Sequence, residues 1–207
     1  MPHPIHISLG KFEQATRASG ATKAKLVRHQ RLASQLPSSG GGDFYVPVVS
    51  AFRRGLLAGD VPGELRKLLR ACTSAQAAHF ESVADGLLTL ADEHRVVGVV
   101  RAPRQPWLYQ DLSVTVSGLL GVRLANGEVQ AWRLHNVVEP LSRDDAGITL
   151  HVVNAMLDTY ASPMTGLVVD VRRGVVHAVR DVDERDRLRG QTEAAAEEYQ
   201  TLWHAAA

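Results

Sequence analysis

Asp111-Leu112-Ser113-Val114-Thr115-Val116-Ser117-Gly118-Leu119-Leu120-Gly121-Val122-Arg123-Leu124-Ala125-Asn126-Gly127-Glu128-Val129-Gln130-Ala131-Trp132-Arg133-Leu134-His135-Asn136-Val137-Val138 is the stretch on which the fold turns. Leu112, Val114, Val116, Leu120, Val122 and Leu124 alternate with Ser113, Thr115, Ser117 and Arg123. A period of two is the pattern of a half-buried strand. Asn126-Gly127 suits the centre of a two-residue type I′ turn, where both central residues need positive φ. The expectation is one long β-hairpin over residues 111–138. Its turn would set Leu124 against Val129, Val122 against Ala131, Leu120 against Arg133 and Gly118 against His135. On the other face Arg123 would meet Gln130, Gly121 would meet Trp132, Leu119 would meet Leu134 and Ser117 would meet Asn136. Trp132 across from Gly121 reads as a ring covering bare backbone.

In that register Arg133 and His135 fall on the core face. A guanidinium there must be paired or line a wet pocket, because burying a lone charge is costly. Glu81, Asp85, Asp158 or a bound anion are the partners open to it, and a register slip would instead set Arg133 at the rim. Arg133 and His135 are therefore candidate ligand-binding residues.

Upstream, helices are expected over Ser8 to Ala18 and Thr22 to Gln35 with a break at Gly20. Residues 37–42 read as a flexible loop. Val46 to Leu57 reads as a helix that Gly59 and Pro62-Gly63 interrupt, and Glu64 to Ala71 as a short one. Thr73-Ser74-Ala75-Gln76 has the form of a capping box, opening a helix to about His94 with a stripe of Ala75, Ala78, Val83, Leu87, Leu90 and Ala91. A strand over Val96 to Arg101 is closed by Pro103 and Pro106. Downstream, Ile148 to Tyr160 reads as a helix, although Ile148, Leu150 and Val152 alternate well enough for a strand. Leu167 to Val171 and Val175 to Val179 form a second hairpin around Arg172-Arg173-Gly174. Asp181 or Asp183 caps a last helix from Glu184 to about His204, burying Leu188, Ala195, Tyr199, Leu202 and Trp203. The fold class is α/β or α+β: a basic helical region over residues 1–72, then a mixed α/β core over 73–207 with a mixed sheet flanked by helices.

With 207 residues, 45% hydrophobic and 22% charged, the chain has the composition of a soluble globular protein. No run approaches the roughly 20 apolar residues of a membrane-spanning helix, so no membrane partner is expected. Cys72 is the one cysteine, and Met1-Pro2-His3-Pro4-Ile5 lacks the apolar stretch of a secretory signal, which points to the cytoplasm. The charge of +1 is unevenly spread. Residues 1–70 hold 11 Lys/Arg against 4 acids, and no lysine follows Lys67. A basic half suits an anionic partner such as nucleic acid, with Lys23, Lys25, Arg28 and Arg31 as candidate contacts. The plainer alternative is a solvated face that pairs with the acidic half of the same chain. A GC-rich coding sequence also accounts for the bias toward Arg, Ala and Val.

The order of elements over residues 75–203 resembles the core of the PD-(D/E)XK nuclease superfamily, particularly its RecB-like branch. A helix bearing an acid leads into a hairpin, then a helix ending in Asp158-Thr159-Tyr160, a strand Leu167-Val168-Val169-Asp170-Val171 and a closing helix. Val116-Ser117-Gly118 is similar to the glycine preceding the family's strand aspartate, and Gln130-Ala131-Trp132-Arg133-Leu134 lies where its acid-x-Lys motif would be. The resemblance implies a restriction-endonuclease-like core. Such a nuclease needs two acids on one face of the hairpin to bind Mg²⁺, with a lysine beside them. Neither face offers an acid at the facing positions, and Arg133 takes the lysine-like place.

Other chemistry has little support. Asp144-Asp145 reads as a capping pair in a loop, and no His spacing suits zinc. Ser39-Gly40-Gly41-Gly42-Asp43 lacks the lysine and strand of a phosphate loop, and neither a serine nor Cys72 sits in a nucleophile motif. The expected function is a non-catalytic binding or regulatory protein on a degenerate nuclease-like fold, without a cofactor, contacting nucleic acid or another anionic ligand. An active nuclease with migrated acids at Glu81, Asp111, Glu128 and Asp158, or at Asp170, and with Mg²⁺, is the first alternative. The second is a structural module that docks a protein partner or a second copy through an exposed Tyr199 and Trp203 stripe.

Overall fold

The computed structural model describes residues 4–36, 44–159 and 163–206. The glycine-rich loop of residues 37–42, Asp43 and Tyr160 lie outside the described residues. The elements are β1 (Ile5–Ser8), α1 (Leu9–Arg17), α2 (Gly20–Ser34), α3 (Val46–Ala58), α4 (Val61–Ala71), α5 (Ser74–Glu93), β2 (Val96–Val100), β3 (Pro106–Tyr109), β4 (Leu112–Thr115), β5 (Leu119–Leu124), β6 (Val129–His135), α6 (Arg143–Asp158), β7 (Thr165–Asp170), β8 (Val175–His177) and α7 (Val182–Ala205). The fold is mixed α/β with two mixed sheets.

Residues 111–138 divide between those sheets. β5 and β6 form the expected hairpin in a sheet of order β2-β5-β6-β7-β8, in which β6 and β7 are parallel and the other neighbours antiparallel. β4 leaves it and lies between β1, parallel, and β3, antiparallel. Gly118, at φ +74°, turns the chain from one sheet to the other. Two short strands escape the sequence reading. β1 has four residues and pairs with a distant segment, and Pro106 opens β3 where it was expected to close β2.

The hairpin turn is also different from the expected one. Gly127 alone has positive φ there, at +89°, and its N–H donates to the Leu124 carbonyl at 3.0 Å. Leu124 N–H donates to the Glu128 carbonyl at 2.9 Å, so the loop has three residues, a type I turn followed by a left-handed glycine. The register moves by one: Leu119 faces Arg133, Leu120 faces Trp132, Gly121 faces Ala131 and Val122 faces Gln130. A shift of one carries the second strand's side chains to the opposite partners. Trp132 therefore packs beside Leu120 and Val122 and does not cover Gly121. Arg133 and His135 share a face with Leu119 and Ala131, and both are half-buried.

Helices cover both faces of the larger sheet. Leu120, Val122, Leu124, Trp132, Leu134, Leu167 and Val169 pack on Val48, Phe52, Leu65, Val83, Leu87 and Leu90 from α3, α4 and α5. On the opposite side Leu119 and Ala131 join β1, β3, β4, α1, α6 and α7 around Phe12, Trp107, Val114, Met156 and Tyr199. Residues 5–27 and the strands after residue 106 thus share one core. The α5 stripe turns onto Phe80, Val83, Ala84, Leu87 and Leu90, leaving Ala75 and Ala78 exposed.

Helix boundaries follow local chemistry. Thr73 and Gln76 form the expected capping box of α5. Asp60 caps α4, its carboxylate accepting from Gly63 N–H at 2.9 Å, and Pro62 sits in the first turn, where a missing N–H costs nothing. Pro62-Gly63 consequently starts the helix instead of interrupting the chain. Residues 148–158 are helical, and Asp144 and Asp145 belong to the first turn of α6 behind the Ser142 cap.

Asp181 caps α7, accepting from Glu184 N–H at 2.7 Å. Glu184 is itself buried and held by arginines. Arg143 Nη2 donates to it at 2.7 Å, Arg180 Nη2 at 3.1 Å and the Arg180 N–H at 2.8 Å. Hydrogen bonds from the Arg180 side chain, then from Arg143 and the Arg180 backbone, hold its carboxyl at about 2 against an ordinary 4.5. Because the folded value lies below the unfolded one, the contribution is complete above about pH 4.5 and fades as pH falls toward 2. Chemical denaturation at stepped pH should show stability declining through that window. Glu184→Gln should flatten the decline while lowering stability at neutral pH.

Candidate functional site

β6 emerges from the hairpin with Arg133 and His135 two residues apart, so both side chains project from one face of the sheet. That face is open at its end because the connection over residues 116–118 departs to the smaller sheet. α1 and α6 approach from one side, bringing Glu13, Arg17 and Thr149, and Tyr45 arrives at the start of α3. Together with Asn136 they line a cleft of about 240 Å³.

Arg133 makes no ion pair among the described residues. Its Nη1 donates to the Ser117 carbonyl at 3.3 Å, crossing beside Gly118, where a Cβ would lie 3.2 Å from the guanidinium. None of the expected acids reaches it. Glu81 and Asp85 line a groove on α5 with Arg172 and Arg173, and Asp158 pairs with Arg185 at 3.7 Å. His135 Nε2 lies 2.8 Å from the Glu139 carbonyl. A carbonyl only accepts, so this nitrogen carries a proton.

The remaining walls mix charge and polarity. Glu13 accepts a hydrogen bond from the buried Thr149 hydroxyl, and Arg17 faces Asp145 at 3.6 Å with both partners exposed. Asn136 is buried; its carbonyl accepts from Arg172 Nε at 2.7 Å, while its side-chain Oδ1 has no partner. Arg172 also donates to the Tyr45 hydroxyl at 3.2 Å and lies over its ring at 5.9 Å.

The acids of the nuclease alternative do not come together. Glu128 is exposed beside the hairpin turn, and Asp111 is exposed ahead of β4, its backbone N–H donating to Gln200. Asp170 is buried at the end of β7, accepting from Leu141 N–H at 3.1 Å and Arg173 at 3.2 Å. Among the described residues no group of three His, Cys, Asp or Glu side chains is placed to hold a metal ion.

The basic face of α2 divides. Lys23 pairs with Glu198 of α7 at 2.7 Å, and Arg31 donates to the Trp203 carbonyl at 2.5 Å. Both tie α2 to α7, and Lys23–Glu198 joins the basic half of the chain to the acidic half. Lys25 and Arg28 are exposed. The proposed docking stripe on α7 is also used internally: Tyr199 is buried, its hydroxyl donating to Gln30 at 2.8 Å, and Trp203 stacks on it at 5.9 Å.

Glu13, Arg17, Tyr45, Asn136 and Thr149 were not singled out from the sequence. Glu13 and Arg17 stand four apart on one helix face, which is a legible signal, but nothing local says that this face meets β6. No helix of the described residues is long and apolar enough to cross a membrane. No protein-family model matches the chain, and a search of curated proteins returns no match.

Proposed function

We propose that the protein is a non-catalytic binding or regulatory protein whose Arg133 cleft takes an anionic ligand, nucleic acid foremost, on a degenerate restriction-endonuclease-like core. The reading is carried by one observation: Arg133 projects into the cleft and forms no ion pair there among the described residues, opposite Leu119 and two residues from Ala131. In the nuclease family that the layout resembles, carboxylates and a lysine would occupy such positions. The order β2-β5-β6-β7, with one parallel step between β6 and β7 bridged by α6, supports the resemblance. Lys25 and Arg28 of α2 are exposed and supply further basic contacts.

Filter binding against duplex and single-stranded DNA at two salt concentrations tests the proposal. Affinity should fall as salt rises, because phosphate contacts release counterions. Arg133→Ala should weaken binding several-fold and reduce the slope of log K against log salt by about one. Binding indifferent to salt, or unchanged by the substitution, defeats the nucleic-acid reading. Plasmid incubated with the protein and Mg²⁺ or Mn²⁺ should remain intact; cleavage would restore the nuclease alternative, for which Glu13 is the carboxylate already in the cleft.

A further inference from the structure

On the other side of the Ser117-Gly118-Leu119 connection lies a larger cleft of about 540 Å³, within the range of small-ligand sites. α3 contributes Arg53, and the segment between β2 and β3 contributes Arg101 and Arg104. Thr115 and Ser117 add hydroxyls, and Val99, Val116 and Leu119 form apolar wall. No carboxylate among the described residues lines it, and none of the three arginines makes an ion pair there.

Arg53 and Arg104 approach each other without a counter-charge, a repulsion that raises the cost of the fold, so their approach needs a reason. Arg53 is the most constrained. It is half-buried, its Nη2 donates to the Leu119 carbonyl at 2.6 Å, and its buried Nε has no partner. Burial, and then the charge of nearby Arg104, lower its pKa from the ordinary arginine value. An anion bridging the two groups would relieve both effects. Arginine forks match the oxygen geometry of phosphate, and the two hydroxyls could complete its coordination.

We propose that the Arg53–Arg101–Arg104 cleft is a second anion site, one that binds a phosphate-bearing ligand independently of the Arg133 cleft. The ligand carries at least two negative charges, and its phosphate sits between Arg53 and Arg104. The cleft has room beyond the phosphate for a small organic group against Val99, Val116 and Leu119.

Isothermal titration of the full chain with pyrophosphate tests this site. The wild type should bind it in a salt-sensitive manner. Arg104→Glu, an exposed substitution that leaves the Arg53–Leu119 bond in place, should weaken binding at least tenfold, and Arg101→Ala should weaken it less. Arg104→Glu should weaken pyrophosphate binding by the same factor when Arg133 is already alanine, which keeps this test separate from the filter-binding experiment. A single-stranded oligonucleotide that displaces pyrophosphate assigns the cleft to strand phosphates; one that does not assigns it to a small phosphorylated molecule. Undetectable pyrophosphate binding, or equal binding by folded Arg104→Glu, overturns the proposal.

Discussion

Replacing Trp132 with alanine should lower the thermal unfolding midpoint by roughly 6–20 °C, from a loss of about 3–5 kcal/mol spread over a chain of this size. The ring is fully buried between the sheet and the α3–α5 layer. Its Nε1–H donates to Gln130 Oε1 at 2.8 Å, and His94 meets it edge-on at 5.7 Å. Alanine removes the ring and leaves a void bounded by helices on one side and paired strands on the other, which cannot easily collapse. Phenylalanine at this position should restore much of the loss. Calorimetry on both variants checks the register directly, because the type I′ register puts Trp132 on the opposite face, over Gly121. A midpoint lowered by only a degree or two would mean that the ring is not the centre of this core.

Gly86→Ala should destabilise by about 1–3 kcal/mol or more, although it adds one methyl to a helix and raises helix propensity. A Cβ at this position would fall inside the Val171 carbonyl group, and backbone cannot rotate out of the way as a side chain could. α5 would have to lift from the end of β7. Urea denaturation should show the lower midpoint, and amide exchange should rise first over residues 80–90 and 167–171. Stabilisation would show that helix propensity outweighs this contact and that α5 stands further from the sheet.

Local chemistry was readable where the residues carrying it are close in sequence. The capping box at Thr73 and Gln76, the Asp181 cap and the turn at Arg172-Arg173-Gly174 all occur as expected. The hairpin was harder because Asn-Gly satisfies two different turns. Both place glycine at positive φ, and they differ in whether Asn126 joins it, which no neighbouring residue decides. One residue of register then moved Trp132 into the helical core and Arg133 to a cleft. The absence of facing acids holds in both registers, since neither strand carries a carboxylate over residues 119–122 or 130–135. Arg133 and His135 were legible as a pair because period-two spacing keeps them together under any slip. Glu13, Tyr45 and Arg53 were not, because they reach the sheet from helices whose placement depends on packing over the whole chain.

The parallel pairing of Ile5–Ser8 with Leu112–Thr115 has a consequence for the order of folding. During synthesis the first strand leaves the ribosome with no partner, and α1–α5 must all follow before β4 exists. Its Ile5 and Ile7 side chains, buried in the finished fold, stay exposed for that interval. Contacts so distant in sequence form late, after the entropy of closing the intervening chain has been overcome. A stopped-flow refolding experiment on Ile7→Ala should therefore find the folding rate almost unchanged and the unfolding rate increased. The smaller sheet would then be a clasp, fastened last and first to open.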